Sequence, residues 1–283
     1  MSLNSVNTNM GAMVALQSLN ATNTQLQATQ KKISTGYRVA DATDDGAAYA
    51  IAQGVRSDVG ALTAANQQLQ NAKGLVSTTI SSLNSVSDNM KSMKSLLVNL
   101  TNSTLSSDTR AQYQVQVQGI LAQIKTDFSN AAYNGRTLVG DQKGSIGTFA
   151  SVNVIQNEQG DTYSVASTSG SAIYSAITAL GGAGQTSTQI AAAITATGSF
   201  TKQFTAVSTA LNNYGVASNY VDAQVTFNNN RVDAMNSGLG ALIDADLSKE
   251  AANLQALQTR QQLGTQALSL ANQAPNSLLS LFK

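Results

Sequence analysis

Between residues 55 and 97 an apolar side chain stands on every seventh position: Val55, Leu62, Leu69, Val76, Leu83, Met90 and Leu97. A seven-residue period puts all of them on one narrow seam of an α-helix and fits neither a strand nor a loop. Val59, Ala72, Ile80, Val86, Met93 and Leu100 fill the companion positions, with Asn66 as a polar exception. At 1.5 Å per residue the run extends for about 63 Å, more than a compact globule of this length easily holds. The seam therefore predicts a long helix in coiled-coil contact with another. A matching register opens at Phe200 and continues through Phe204, Val207, Leu211, Tyr214, Val221, Val225, Val232, Met235, Leu239 and Leu242, with Ser218 and Asn228 in its polar slots. Phe204, Leu211, Val225, Val232 and Leu239 form its expected contact series.

The two ends of the chain carry a different kind of helix. No charge precedes Lys31, and none lies between Arg260 and Lys283. Leu3, Val6, Met10, Met13, Leu16, Leu19, Leu26 and Ile33 recur at helical spacing. So do Leu254, Leu257, Leu263, Leu270, Leu278 and Leu281 near the other end. Each end thus presents an apolar stripe that is unfavourable in water until something covers it. The first helix is expected to stop at Gly36, after Lys31 and Lys32, and a second to start at a cap among Thr43, Asp44 and Asp45. A corresponding break falls at 243–247, with Asp244 and Asp246 as candidate caps. Paired breaks predict two coaxial layers, each built from both ends of the chain. They are an inner terminal-helix domain (1–42 with 243–283) and a long-helix rod domain (43–140 with 198–242).

The remaining segment, 141–197, reads as a surface insert. Ser106, Ser107 and Asp108 break the long seam and cap a further helix through Tyr113, Val117, Ile120, Ile124, Phe128 and Ala131. Asn134-Gly135 then signals a turn. Alternating runs at 148–155 and 162–166, joined by Asn157-Glu158-Gln159-Gly160, predict a β-hairpin. Short helices are expected near 173–180 and 189–195. The fold class is mainly α, with long antiparallel paired helices and a small hairpin-bearing insert.

Composition narrows the chemistry. The chain has no Cys, His or Trp, which removes thiol and imidazole catalysis, disulfides and the usual zinc sites. Charged residues make up 11%, against about 25% in ordinary domains, and Ser, Thr, Asn and Gln take their place. A net charge of +1 gives no reason to expect a nucleic-acid or anionic-membrane partner. No apolar run reaches bilayer length, and no secretory signal is expected at the N-terminus. Asp41, Asp44, Asp45 and Gly46 imitate a calcium loop, but Ala52 stands where the bidentate Glu belongs, so capping and pairing with Arg38 or Arg56 are expected instead. Ser199 to Lys202 and Ser280 to Lys283 match Ser-x-x-Lys without a supporting catalytic pattern. The formal sequons at Asn20, Asn99 and Asn102 are expected to fall on packed helices. Neither an enzyme nor a cofactor is expected.

Several strings resemble bacterial flagellin. Asn7-Thr8-Asn9 through Leu19-Asn20 is similar to the family's opening helix. Ile33-Ser34-Thr35-Gly36-Tyr37-Arg38-Val39, then Asp44-Asp45 and Ala50-Ile51-Ala52, are similar to its most characteristic block. Leu257-Gln258-Thr259-Arg260-Gln261-Gln262-Leu263-Gly264, Ala271-Asn272-Gln273-Ala274-Pro275 and Leu278 to Phe282 resemble its closing helix. The short insert and the phrase Ile243 to Glu250 look alphaproteobacterial. The resemblance covers roughly 1–140 and 198–283.

It implies a self-assembling subunit of the extracellular flagellar filament, with its terminal helices innermost and residues 141–197 facing solvent. It further implies export in unfolded form through the flagellar export gate without a cleaved signal peptide. Partners would be an export chaperone on the last helix, the filament cap and the hook-associated proteins. Flagellins are often O-glycosylated on exposed Ser or Thr, and the stretch Ser164 to Ser175 is where such acceptors would be sought; the resemblance does not imply that the modification occurs. The hook–filament junction protein shares the paired-end design. A surface polysaccharide-binding module is the other alternative, though Phe149, Tyr163 and Tyr174 alone offer stacking faces for it. The family's immune-receptor site is degenerate here. Met90-Lys91-Ser92-Met93-Lys94-Ser95 stands in place of an Arg-rich string, and Gln116 in place of a Glu. The bidentate and charge-assisted contacts such a surface uses are therefore missing.

Overall fold

The computed structural model describes residues 8–182 and 184–280, with side chains of the last helix as far as residue 273. Among them the chain forms seven helices and four short strands. Contacts divide it into a terminal unit (Met1–Ser57 with Ala234–Lys283) and a central unit (Asp58–Asp233).

In the terminal unit, α1 (Met10–Thr35) begins at Asn9, whose side chain accepts a hydrogen bond from the Ala12 amide at 3.0 Å. It ends at Gly36, where φ is +74° and the amide bonds back to the Lys32 carbonyl. That left-handed turn is the reason for glycine at this position. The last helix, α7 (Leu247–Ser280), is capped by Asp246, which accepts from the Lys249 amide at 3.1 Å. α1 and α7 run antiparallel: Asn9 Nδ2 donates to the Ala271 carbonyl at 2.7 Å, and Gln261 Nε2 donates to Asn23 Oδ1 at 2.8 Å. Lys32 meets Glu250 at 3.8 Å toward the other end of the pair.

The two predicted breaks face each other. Arg38 and Val39 donate their amides to the Ile243 carbonyl, and Ala245 donates to Gly36 at 2.9 Å, giving a one-bridge antiparallel ladder at Tyr37 and Asp244. Asp244 therefore sits in the ladder and leaves the capping role to Asp246. Asp45 caps α2 (Gly46–Leu100) through the amides of Ala47 and Ala48. Beneath the ladder Val39, Ala48, Ala52 and Ile243 make a small core with Tyr49, Leu239 and Leu242 at its margin. This core draws the first turns of α2 and the end of α6 (Ser199–Ile243) into the terminal unit, whose contact boundaries fall at 57 and 234.

In the central unit the heptad seam of α2 is buried throughout, at Leu62, Leu69, Val76, Leu83, Met90 and Leu97; Val55, the start of the seam in the terminal unit, is half-buried. Arg110 closes the turn into α3 (Ser107–Ser129) by donating to the carbonyls of Leu100 and Asn102, both at 2.9 Å. Val117, Leu121, Ile124 and Phe128 of α3 join the same core. On α6 the deeper series is Phe200, Val207, Tyr214 and Val221, with Asn228 at the next heptad position. Phe204, Leu211, Val225, Val232 and Leu239 are only half-buried. The register holds two interleaved series, each with one polar break, and the deeper one has the longer unbroken apolar run, Phe200 to Val221. Asn66 and Asn228, the polar exceptions, meet: Asn228 Nδ2 donates to Asn66 Oδ1 at 2.9 Å, and Asn66 Nδ2 to Asn229 Oδ1 at 2.8 Å. Buried amides in register fix the pairing of the two helices, because any slip leaves them unsatisfied.

Asn134-Gly135 makes the expected turn, with φ of +49° and +73° and two bonds between Tyr133 and Arg136. β1 (Arg136–Thr137) pairs in parallel with β2 (Thr148–Phe149), while β3 (Val152–Ile155) and β4 (Thr162–Val165) form the predicted hairpin. The turn of that hairpin is clamped to α6. The Gln156 carbonyl accepts from Gln224 and Asn228, and Arg231 grips both oxygens of Glu158. Val154 packs with Leu69, Ala72 and Val221. Ile173 and Ile177 of α4 (Gly170–Thr178) and Ile190 of α5 (Ser187–Ile194) enter the core of α2 and α3. Residues 141–197 thus have no separate core.

A methyl group at Gly170 would strike the Val139 carbonyl and lie 2.7 Å from the buried Phe128 ring, whereas one at Gly119 on the face of α3 meets nothing within 4 Å. Gly170→Ala should lower monomer stability by about 1–3 kcal/mol or more. Gly119→Ala should raise it by roughly 0.5–1 kcal/mol. Urea denaturation of both variants checks the pair.

Candidate assembly surface

An antiparallel helix pair hides little of a stripe that runs down both partners. Among the described residues of α1 and α7, only Thr29 and Leu257 are buried. On α1, Leu19, Leu26 and Ile33 are half-buried against α7, but Met10, Met13, Val14 and Leu16 face solvent, Met13 at 61%. On α7, Leu254 is half-buried, while Leu263 and Leu270 are exposed at 58% and 71%. Leu3, Val6 and Leu281, and the side chain of Leu278, lie outside the described residues. Close approach at the seam comes from small residues: a methyl added to Gly264 would stand 3.3 Å from Leu19. The groove there, about 360 Å³, runs past Thr29, Lys32, Glu250 and Leu257.

Exposed apolar side chains extend from Met10 to Leu16 on one helix and from Leu263 to Leu270 on the other, within the uncharged stretches noted above. Fully covering one such Leu, Met or Val contributes about 1.5–3 kcal/mol. Exposed large apolar side chains of this kind make the pair a candidate protein-contact surface.

Charge gathers at the foot of α1 and is neutralised there. Lys31 Nζ reaches Asp41 at 2.7 Å and Asp44 at 2.8 Å. Asp41 also accepts from the Thr43 amide at 2.9 Å, and Asp44 from the Ala40 amide at 3.0 Å. Hydrogen bonds from Lys31 hold both carboxyls below the usual carboxylate range, and those carboxylates raise the pKa of Lys31. The calcium-loop imitation is thus occupied by an ammonium group and a helix cap. Arg38 turns to the Leu242 carbonyl, and Arg56 lies over the Tyr37 ring at 5.8 Å. Neither takes the carboxylate partner expected from sequence.

The segment expected to correspond to the receptor site is split by burial. Met90 and Met93 point into the core, whereas Lys91, Lys94, Ser95 and Gln116 are exposed. Lys91 pairs with Asp88 at 2.8 Å. Sequence reasoning missed the Glu158–Arg231 clamp, because neither residue belongs to a periodic pattern. No cluster of three or more His, Cys, Asp or Glu suited to a metal occurs among the described residues. No described helix is long and apolar enough to cross a membrane.

A mainly helical chain with an uncovered apolar terminal surface fits a structural subunit of an assembly. The bacterial flagellin N-terminal helical region matches residues 6–143, and the bacterial flagellin C-terminal helical region matches residues 194–282. Flagellin FljM of Caulobacter vibrioides is 33% identical over the whole of both chains. A flagellin of Brucella melitensis is 34% identical over 99% of each. The chain belongs to the bacterial flagellin family, and these relatives are alphaproteobacterial. It is a structural subunit of the flagellar filament. A flagellar hook-associated protein structure from Vibrio parahaemolyticus covers 78% of this chain and 99% of its own at 16% identity, with a TM-score of 0.42.

The carboxylates set the acid response. The bond from Arg231 holds Glu158 down at about 2, against an ordinary value of 4.5. A carboxylate with a depressed folded pKa stabilises the fold fully above its ordinary value, and that contribution is lost as pH falls through the folded one. Lys31, being raised, contributes below 10.5 and loses its contribution only above it. The urea midpoint of the monomer should therefore be flat from pH 7 to 5 and fall between about pH 4.5 and 2. In Arg231→Ala the fall should be shallower and start from a lower plateau.

Proposed function

We propose that this flagellin polymerises through the exposed stripes of α1 and α7, each of which is covered by terminal helices of neighbouring copies. The observation that carries the reading is the exposure of Met10, Met13, Leu16, Leu263 and Leu270 on a helix pair with almost no buried interior. Leu3, Val6, Leu278 and Leu281 extend the same stripes in sequence. The inner domain of the assembled subunit is then the terminal helices, the rod is the α2–α6 pairing with α3, and residues 141–197 face outward.

Helices whose stability depends on neighbours are weakly formed before docking, which suits passage through the flagellar export gate in unfolded form. An export chaperone would cover the stripe of α7 beforehand, and the filament cap would hold arriving subunits at the tip while they dock. Hook-associated proteins would meet the same terminal helices at the filament base. Secretion by this route needs no cleaved signal peptide.

Leu263→Lys places a charge at the centre of the proposed contact. It should abolish seeded elongation at concentrations where the unaltered chain grows long filaments, as seen by electron microscopy. Its monomer stability should change by less than about 0.5 kcal/mol, because the site is exposed. Normal filaments from Leu263→Lys, or an unaltered chain that caps seeds without elongating them, would overturn the reading.

The outward surface of α2 and α3 carries Lys91, Lys94, Ser95 and Gln116 where receptor-activating flagellins carry the Arg-rich string and a Glu. Cells reporting the vertebrate Toll-like flagellin receptor should respond weakly or not at all, and a full response at enteric-flagellin doses would contradict this.

A further inference from the structure

Tyr163 on β4 and Tyr220 on α6 form the one stacked tyrosine pair among the described residues, with ring centroids 4.1 Å apart and planes inclined by 26°. Aromatic pairs more often stand about 4.5–7 Å apart, so this is close face contact. Both rings are held from behind. Tyr163 opposes Val154 in the hairpin ladder, and Val154 is buried among Leu69, Ala72 and Val221. The Tyr220 hydroxyl donates to Gln156 Oε1, and the Gln156 carbonyl is fixed by Gln224 and Asn228. Yet the pair is reachable: Tyr220 is 38% exposed and Tyr163 is half-buried. The chain has no Cys and no Trp, so its tyrosines are the side chains that most readily surrender a single electron.

We propose that this pair is an oxidative cross-linking site, at which a one-electron oxidant joins Tyr163 to Tyr220 as an intrachain dityrosine. The oxidant is a haem peroxidase charged with hydrogen peroxide. It takes one electron from each phenol, and each hydroxyl proton leaves to water. The two phenoxyl radicals couple through carbons ortho to oxygen, forming one carbon–carbon bond. The hydrogens on those carbons then move to the oxygens and restore both aromatic rings. Two tyrosines and one hydrogen peroxide give one dityrosine and two waters. The product ties the hairpin covalently to α6, a role that disulfides cannot serve in a chain without cysteine. It does not depend on the filament reading.

The test uses dilute full-length monomer, half of it nitrogen-15 labelled, with peroxidase and limiting peroxide. Lys143, Lys202 and Arg231 place the two tyrosines on different tryptic peptides, so mass spectrometry reads the link directly. The expected main product is a 163–220 linked peptide without mixed isotopes. It should be lost in Tyr163→Phe and Tyr220→Phe, both of which keep the ring contact, and retained in Tyr174→Phe. Circular dichroism melting confirms that each variant is folded; the unaltered chain decides the matter if one is not. The cross-linked fraction should also unfold at a higher urea concentration. Tyrosine oxidation without the 163–220 link, or links carrying mixed isotopes only, would overturn the proposal, and an unchanged urea midpoint would overturn the tying of hairpin to helix.

Discussion

An amphipathic helix can be covered from one side by one partner, and the terminal unit has one partner per helix. α1 lies on α7, which half-buries Leu19, Leu26 and Ile33 and buries Leu257, but Met10, Met13, Leu16, Leu263 and Leu270 remain in water. A two-helix pair has no interior in which to place them. Everything else in the terminal unit follows from that shortage. The ladder between Gly36–Val39 and Ile243–Ala245 supplies the local order that burial does not, and the small core of Val39, Ala48, Ala52 and Ile243 borrows turns of α2 and α6 to exist at all.

The central unit meets the same problem with three long segments rather than two. α2 turns its seam to α6 and α3 at once, so Leu83, Met90, Met93 and Leu97 are completely buried within one chain. The hairpin and the two short helices finish that core; they are not appended to it. Val165, Ile173, Ile177 and Ile190 each contribute a buried side chain to the cluster built on α2 and α3. Removing residues 141–197 would open that cluster to water, so point substitutions on its outer face separate a surface role from a structural one better than deletion does.

Periodic features were legible in the sequence because a period is a geometric statement. The α2 seam, the stop at Gly36, the cap at Ser106, the Asn134-Gly135 turn and the β3–β4 hairpin all carry local signals, and each appears where expected. Which of two interleaved seams on α6 lies deeper depends on the position of neighbouring elements and has no local signature. Phe204 and Leu211 are as apolar as Phe200 and Val207, and only packing ranks them. The parallel pairing of β1 with β2 joins two-residue strands too short for any pattern. Arg231 with Glu158 was hidden for a similar reason, since a salt link across 73 residues leaves no trace in spacing. On the candidate surface, the stripes were readable as stripes, but the half that α7 covers and the half it leaves open are set by helix rotation.

The distribution of charge then decides what kind of contact the open half can make. Lys31, Asp41 and Asp44 satisfy one another, Lys32 meets Glu250, and Arg38 and Arg56 are turned to a carbonyl and a ring within their own unit. Toward Met10 and Leu270 there is no ionised group left to direct an encounter. A contact made there draws on apolar burial for its strength. Asn9, Asn23 and Gln261 already set the register of α1 against α7 within the subunit. Hydrogen bonds of this kind add little net free energy when made but cost about 1–3 kcal/mol when left buried and unmade. They hold the helix pair in one alignment, and in the proposed filament contact the uncharged stripes would stack no like charges along a line of identical copies. The lack of charged side chains in residues 1–30 and 261–282 is what would keep repeated self-contact favourable in the proposed assembly.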